Sequence, residues 1–231
     1  MLYQSSMTYY PIFLKVENQK CLLVGAGCVG LRKLKSLLQS GPAEITVLDT
    51  CDPCSELKSI SEDPRVRFEK RNFEPEDLDD KFMAFACTCN KAVNKQIADI
   101  CREKNILCNI ADYPDGSNFI VPSVIKQGDL TLAVSTGGNS PAFTKKIRRD
   151  LQDVFGEHYA IFLTLMGRIR PLVLDLGEET SQNTALFRHL VASPILDELE
   201  AGNMSRVKEL LAEILPEELV PHIPELTDDF V

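Results

Sequence analysis

The stretch that decides the fold is Cys21-Leu22-Leu23-Val24-Gly25-Ala26-Gly27-Cys28-Val29-Gly30-Leu31-Arg32-Lys33, "CLLVGAGCVGLRK". Its first four residues are apolar and suit a buried strand. Gly25, Gly27 and Gly30 then form G-x-G-x-x-G, and Leu31, Leu34, Leu37 and Leu38 recur at helical spacing. In a strand–turn–helix, the first glycine of this pattern permits the tight turn and the second lets backbone approach a pyrophosphate. The third lets helix and strand pack closely. The helix start adds free N–H groups and partial positive charge for the phosphates. Gly25, Ala26, Gly27, Cys28 and Val29 are therefore the candidate pyrophosphate contacts.

Working outward, Glu44–Asp49 reads as the next strand, closing on Asp49. A carboxylate there accepts hydrogen bonds from both ribose hydroxyls and repels a 2′-phosphate, which favours NAD over NADP. Upstream, "YPIFLK" at 10–15 reads as a short strand before a turn at Glu17-Asn18-Gln19. Downstream, the pattern gives a helix over 52–61, strands over 66–69 and 82–88, a helix over 92–104 and a strand over 106–111. Strand–helix alternation of this kind predicts a parallel sheet covered on both faces.

The pattern changes near residue 113. Residues 119–125 and 130–135 read as a hairpin joined through Lys126-Gln127-Gly128-Asp129. A lone two-stranded ribbon is marginal, so this one is expected to pair, with the same ribbon of a second subunit as one candidate. Ser140 then caps a helix with Pro141 in its first position. Gly156 interrupts that helix, and helical periodicity continues to about residue 215. The proline-bearing end, "PHIPELTDDFV", reads as loose. The expected architecture is α/β: a Rossmann-like parallel sheet over 1–113, a small β-ribbon dimerisation segment over 114–145, and a C-terminal helical domain over 146–231.

Composition narrows the function. The 231 residues carry a formal net charge of −9. Residues 1–174 hold 22 Lys/Arg and 21 Asp/Glu, whereas residues 175–231 hold 3 and 13. This argues against a nucleic-acid partner, while a local basic patch in the first part still suits an anionic substrate. No apolar run reaches the ~18 residues of a membrane span, and the start lacks the pattern of a signal peptide. The eight cysteines then read as reduced thiols of a cytoplasmic protein. Cys51 and Cys54, with Cys87 and Cys89, would make a metal cluster only if all four converged.

Three further stretches bear on chemistry. Thr88 and Asn94 leave the strand over 82–88, at the edge where open α/β sheets bind ligands; the alternative is a helix start capped by Asn90. Asp112 follows the fifth strand. It suits a general base or a metal-binding carboxylate near the nicotinamide position, or a turn aspartate before Pro114. Ser135, Thr136, Gly137, Gly138, Asn139 and Ser140 precede a helix bearing Lys145, Lys146, Arg148 and Arg149. That arrangement suits a cradle for carboxylates, or a capped loop followed by a solvated face.

Taken together, "PIFLKVENQKCLLVGAGCVGLRK", "ACTCNKAVNKQIADICREKNILCNIADYPDGSNFIVPS" and "LTLAVSTGGNSPAFTKKIR" resemble successive blocks of the precorrin-2 dehydrogenases, which also form part of siroheme synthases. The resemblance spans about residues 9–150, and "ALFRHLVASPILDELEAGN" is similar to that family's helical part. It implies NAD-dependent oxidation of the tetrapyrrole precorrin-2 to sirohydrochlorin. Some members also insert ferrous iron, so iron insertion stays open here. It implies a homodimer joined through residues 114–145, and it matches Asp112 to the family's catalytic aspartate. Gly30 stands where the family often has alanine, Asn90 where many members have aspartate, and Thr136 where serine is common. Two other readings remain beside this one: an NAD(H)-sensing module without catalysis, and a chelatase that keeps the cofactor fold only as structure.

Overall fold

β1 (Lys20–Val24) buries four of its five residues and lies at the centre of a five-stranded sheet. In chain order the remaining elements of the first unit are α1 (Cys28–Leu38), β2 (Glu44–Asp49), α2 (Ser55–Ile60), β3 (Val66–Lys70), a 3₁₀ turn at Pro75–Leu78, β4 (Met83–Ala86), α3 (Lys91–Glu103), β5 (Leu107–Ile110) and a second 3₁₀ turn at Pro114–Gly116. The computed structural model describes residues 9–111 and 113–230. It divides into two compact units, residues 1–121 and 122–231.

The sheet is parallel throughout, in the order β3-β2-β1-β4-β5. The chain moves outward from β1 to β3, then returns to place β4 on the other side of β1. The topological switch point therefore lies between β1 and β4, where open α/β sheets bind ligands at the strands' carboxyl ends. Val24 is level with Leu48 on one side and Ala86 on the other, and Ala86 is level with Ile110. Gly25, Asp49, Cys87 and Ala111 thus stand on one rim.

Alternation along β1 supplies both cores. Cys21 and Leu23 pack with Leu31, Leu34 and Leu37 of α1. Leu22 and Val24 pack with Ile97, Ala98 and Cys101 of α3. Burial on both faces explains why the central strands read as apolar runs.

In the second unit, β6 (Ser123–Gln127) and β7 (Leu130–Val134) form an antiparallel pair turning at Gly128-Asp129. There follow α4 (Pro141–Val154), α5 (Glu157–Asp175), α6 (Thr180–Ala192), α7 (Ile195–Glu200), α8 (Met204–Ile214), a 3₁₀ segment at Glu217–His222 and α9 (Ile223–Leu226). Their core centres on Leu165, Ile169, Leu190, Ile195, Val207 and Leu211. Among the described residues, no helix is long and apolar enough to cross a membrane.

Four local expectations change. Residues 10–15 form no strand, and Tyr10 and Phe13 are 84% and 74% exposed. The helix expected from residue 52 begins at Ser55, capped by Cys54 just beyond Pro53. The strand expected from residue 119 begins at Ser123, because Ser117–Phe119 instead ties back onto β5 through Asn118. The chain's end is packed rather than loose. Ile223, Leu226 and Thr227 are buried, and Arg168 donates to the carbonyls of Leu226 and Asp228.

Candidate functional site

The glycine turn is shaped by its contact with β4. Gly25 has φ +93°, and a Cβ there would lie 2.6 Å from the Cys87 carbonyl and 2.7 Å from the Thr88 nitrogen. A Cβ on Gly30 would lie 2.0 Å from the Gly25 oxygen. These two glycines are required by the chain's own backbone. Gly27 differs. Its φ of −67° is open to any residue, and nothing lies within 4 Å of where its Cβ would be. The protein fills no space there, so a glycine leaves the approach to α1 clear.

That approach ends on an uncapped helix. Gly27 is the N-cap of α1, no side chain accepts from the first-turn N–H groups, and no acidic residue sits in that turn. Gly27, Cys28 and Val29 are exposed. An N-terminus left in this state has free donors and partial positive charge, which an anion satisfies. Asp49 lines the other side of the turn. Its Oδ2 accepts from the Ala26 N–H at 2.6 Å, and its Oδ1 accepts from the Cys51 N–H at 2.8 Å. The carboxylate is therefore pinned at the lip of the turn. Each oxygen retains acceptor capacity, as binding a pair of ribose hydroxyls requires. The open space, the free helix end and the pinned carboxylate together fit a dinucleotide.

Thr88 and Asn94 are brought together, but around each other. The Thr88 hydroxyl donates to Asn94 Oδ1 at 2.6 Å, and Asn94 Nδ2 donates to the Thr88 carbonyl at 2.9 Å. Asn94 is buried, with its amide committed to this turn, while Thr88 is half-buried at the rim. Asn90 caps α3 by accepting from the N–H groups of Ala92 and Val93. Beyond β5, the Ala111 N–H donates to the Ala86 carbonyl, which holds Ala111 on the rim. Asp112, the candidate base, lies outside the described residues.

The second candidate loop is in the other unit and closes on itself. Ser135 Oγ accepts from the Gly137 N–H, and Thr136 Oγ1 accepts from the Ser140 N–H and contacts Thr144 Oγ1 at 3.0 Å. Ser140 Oγ caps α4 by accepting from the Phe143 N–H at 3.2 Å. Gly137, Gly138 and Asn139 are exposed. Lys145 is also exposed and forms no ion pair among the described residues, whereas Lys146 pairs with Asp150.

All eight cysteines are free thiols, and among the described residues no group of three or more His, Cys, Asp or Glu side chains is placed to bind a metal ion. One rim-side pair was not singled out in the sequence. Lys33 Nζ donates to Asn109 Oδ1 at 2.6 Å. Both residue types are ordinary in a helix and a strand, so no local signal marks them.

Comparison with known proteins agrees with this geometry. Residues 12–123 match a family model described as putative NAD(P)-binding, and residues 127–153 match the central region of sirohaem biosynthesis proteins. A siroheme synthase of Thioalkalivibrio sulfidiphilus is 29% identical over 209 residues, 90% of this chain and 42% of that protein. Siroheme synthase 2 of Yersinia enterocolitica is 32% identical over 167 residues, 72% of this chain and 35% of that protein. The chain thus spans less than half the length of these curated relatives. Among solved structures, SirC, a precorrin-2 dehydrogenase, superposes with a TM-score of 0.76 at 27% identity, covering 89% of this chain and 98% of that one.

Proposed function

From the chain's membership in the family of siroheme synthases and precorrin-2 dehydrogenases, we infer that it oxidises precorrin-2 to sirohydrochlorin with NAD as the hydride acceptor. The observation that carries this reading is the rim of β1 and β2. There a glycine required by no contact within the chain opens onto an uncapped helix beside a pinned carboxylate. Bound NAD supplies a nicotinamide ring that takes up a hydride.

In this reading the N–H groups of Cys28, Val29 and Gly30 bind the pyrophosphate, and Asp49 selects NAD by holding the ribose hydroxyls. Asn94 holds the Thr88 turn against β4, beside the nucleotide. Loss of a hydride from the macrocycle leaves a proton to be removed, and Asp112, next along the chain from the rim residue Ala111, is the base we assign. The tetrapyrrole is polyanionic. We assign its carboxylates to the 135–140 loop and Lys145, with the backbone N–H of Gly138 as the exposed donor, since those of Gly137 and Asn139 are held by Ser135 and Thr136.

We also propose a cytoplasmic homodimer joined through residues 114–145. Its support is a ribbon of only two strands that leaves Val124 45% and the nearby Phe143 53% exposed; eight free thiols fit a reducing compartment.

Anaerobic incubation with precorrin-2 and either NAD or NADP tests the reading. NADH formation well ahead of NADPH formation is expected, and no reduced nucleotide from folded protein overturns it. Ferrous iron added to the same incubation decides insertion, by whether the sirohydrochlorin spectrum gives way to that of siroheme. A sensing module would bind NADH without turnover, and a chelatase would insert metal into sirohydrochlorin with no requirement for NAD.

A further inference from the structure

Lys33 lies about one and a half turns along α1 from the helix start at Cys28. The side chain is half-buried, with its ammonium 5.2 Å from the centre of the Phe85 ring and hydrogen-bonded to Asn109 Oδ1. Burial pushes its pKa below the ordinary lysine range, with the Cys87 sulfur opposing that shift. Among the described residues it forms no ion pair. A half-buried ammonium without a carboxylate is a poor way to stabilise a core, so its place asks for another reason.

Asn109 supplies one. It is 7% exposed on β5, and its amide bridges two groups. Its oxygen accepts from Lys33, and its Nδ2 donates to the Phe119 carbonyl at 3.0 Å. An ammonium only donates, so Lys33 dictates which way the Asn109 amide faces and keeps its NH₂ on Phe119. The Phe119 ring in turn packs edge-on against Phe85 at 5.8 Å, the same ring that Lys33 overlies. Further bonds continue along β5. The Cys108 N–H donates to Asn118 Oδ1, Asn118 Nδ2 donates to the Ile106 carbonyl, and the Ile110 N–H donates to Ser117 Oγ. Residues 117–119 are thereby laced to β5, so the chain that leaves β5 after Ile110 is held to it again at Ser117, just beyond a 3₁₀ turn at Pro114–Gly116.

We propose that Lys33 is a positioning residue: by orienting Asn109 it locks Phe119 against β5 and sets the loop that carries Asp112. This rests on the reading of Asp112 given above, and it assigns α1 a second task besides holding the nucleotide.

The test uses the full chain with Lys33→Met, Lys33→Gln and Lys33→Arg, read by amide hydrogen exchange, NADH affinity and turnover. In Lys33→Met the Cys108 and Ile110 amides are expected to exchange about tenfold faster, while those of β1–β3 keep their protection. NADH affinity should stay within about twofold of the parent, and kcat should fall about tenfold or more. Lys33→Arg, still a donor only, should recover most of kcat, and Lys33→Gln, whose amide accepts as well as donates, should not. If Lys33→Met fails to fold, Lys33→Gln carries the same readouts. Weakened NADH binding with unchanged exchange at Cys108 and Ile110 would make Lys33 a nucleotide contact and overturn the proposal. Uniformly faster exchange across the sheet, or no change in either exchange or kcat, would overturn it as well. Exchange and NADH affinity need no precorrin-2, so they decide the matter even if the proposed turnover is absent.

Discussion

Two loops in this molecule each carry glycines from a strand into a helix, and they treat the helix end in opposite ways. The turn before α1 has glycine at the N-cap, offers no side-chain acceptor to the first-turn donors and keeps acids out of that turn. The loop before α4 has Ser140 at the N-cap, its hydroxyl oxygen accepting from the Phe143 N–H, and Thr136 ties Ser140 to Thr144. A helix end completed by its own side chain has less to offer an anion than one left open. The first loop thus leaves free the donors that the proposed NAD phosphates need. The second offers the proposed substrate's carboxylates only the Gly138 N–H and Lys145.

The comparison can be broken most sharply at Gly27. Gly27→Val fills space that the chain leaves open, and its backbone conformation accepts a side chain. NADH affinity, by calorimetry, should fall about 100-fold, equivalent to ~2.7 kcal/mol, with little change in Tm. An unchanged affinity would mean that the open space faces no ligand. Asp49→Asn keeps the shape but removes the charge at the lip of the turn. The preference for NAD over NADP, taken as the ratio of kcat/KM values, should shrink about tenfold, or ~1.4 kcal/mol.

Ser140→Ala probes the corresponding position of the second loop, where the expected loss is in stability. Removing a serine N-cap costs about 1 kcal/mol in a denaturant titration, while NADH affinity stays at the parent value. Thr136→Val, which deletes the hydroxyl bridging Ser140 and Thr144, should cost about 0.5–1.5 kcal/mol in the same titration. If either variant lost nucleotide affinity instead, the division of labour between the loops would be wrong.

The parallel sheet was legible in the sequence because each central strand is buried on both faces and each helix carries a stripe of spaced aliphatics. Leu31, Leu34 and Leu37 face the sheet where their spacing placed them. The glycine turn and Asp49 were legible because close backbone approach restricts the residue type. Four things were not. The segment at 10–15 has the composition of a strand, but strand formation needs a neighbour, which local sequence does not report. The chain's end has prolines that suggest a loose tail, yet Ile223 and Leu226 fit into the helical core. Asn94 reads as a ligand contact by position but is held by Thr88, since an amide at a strand exit serves backbone as readily as ligand. The Lys33–Asn109 bond joins residues 76 apart, and only tertiary structure brings them together.

The most direct test of the central claim is a single turnover under anaerobic conditions, with precorrin-2 limiting and NAD in excess, followed by absorbance from the near ultraviolet through the visible. The account predicts that one equivalent of NADH appears per sirohydrochlorin formed, with the same time course. Sirohydrochlorin appearing at the same rate without NAD, or no sirohydrochlorin from protein that binds NADH, would contradict it.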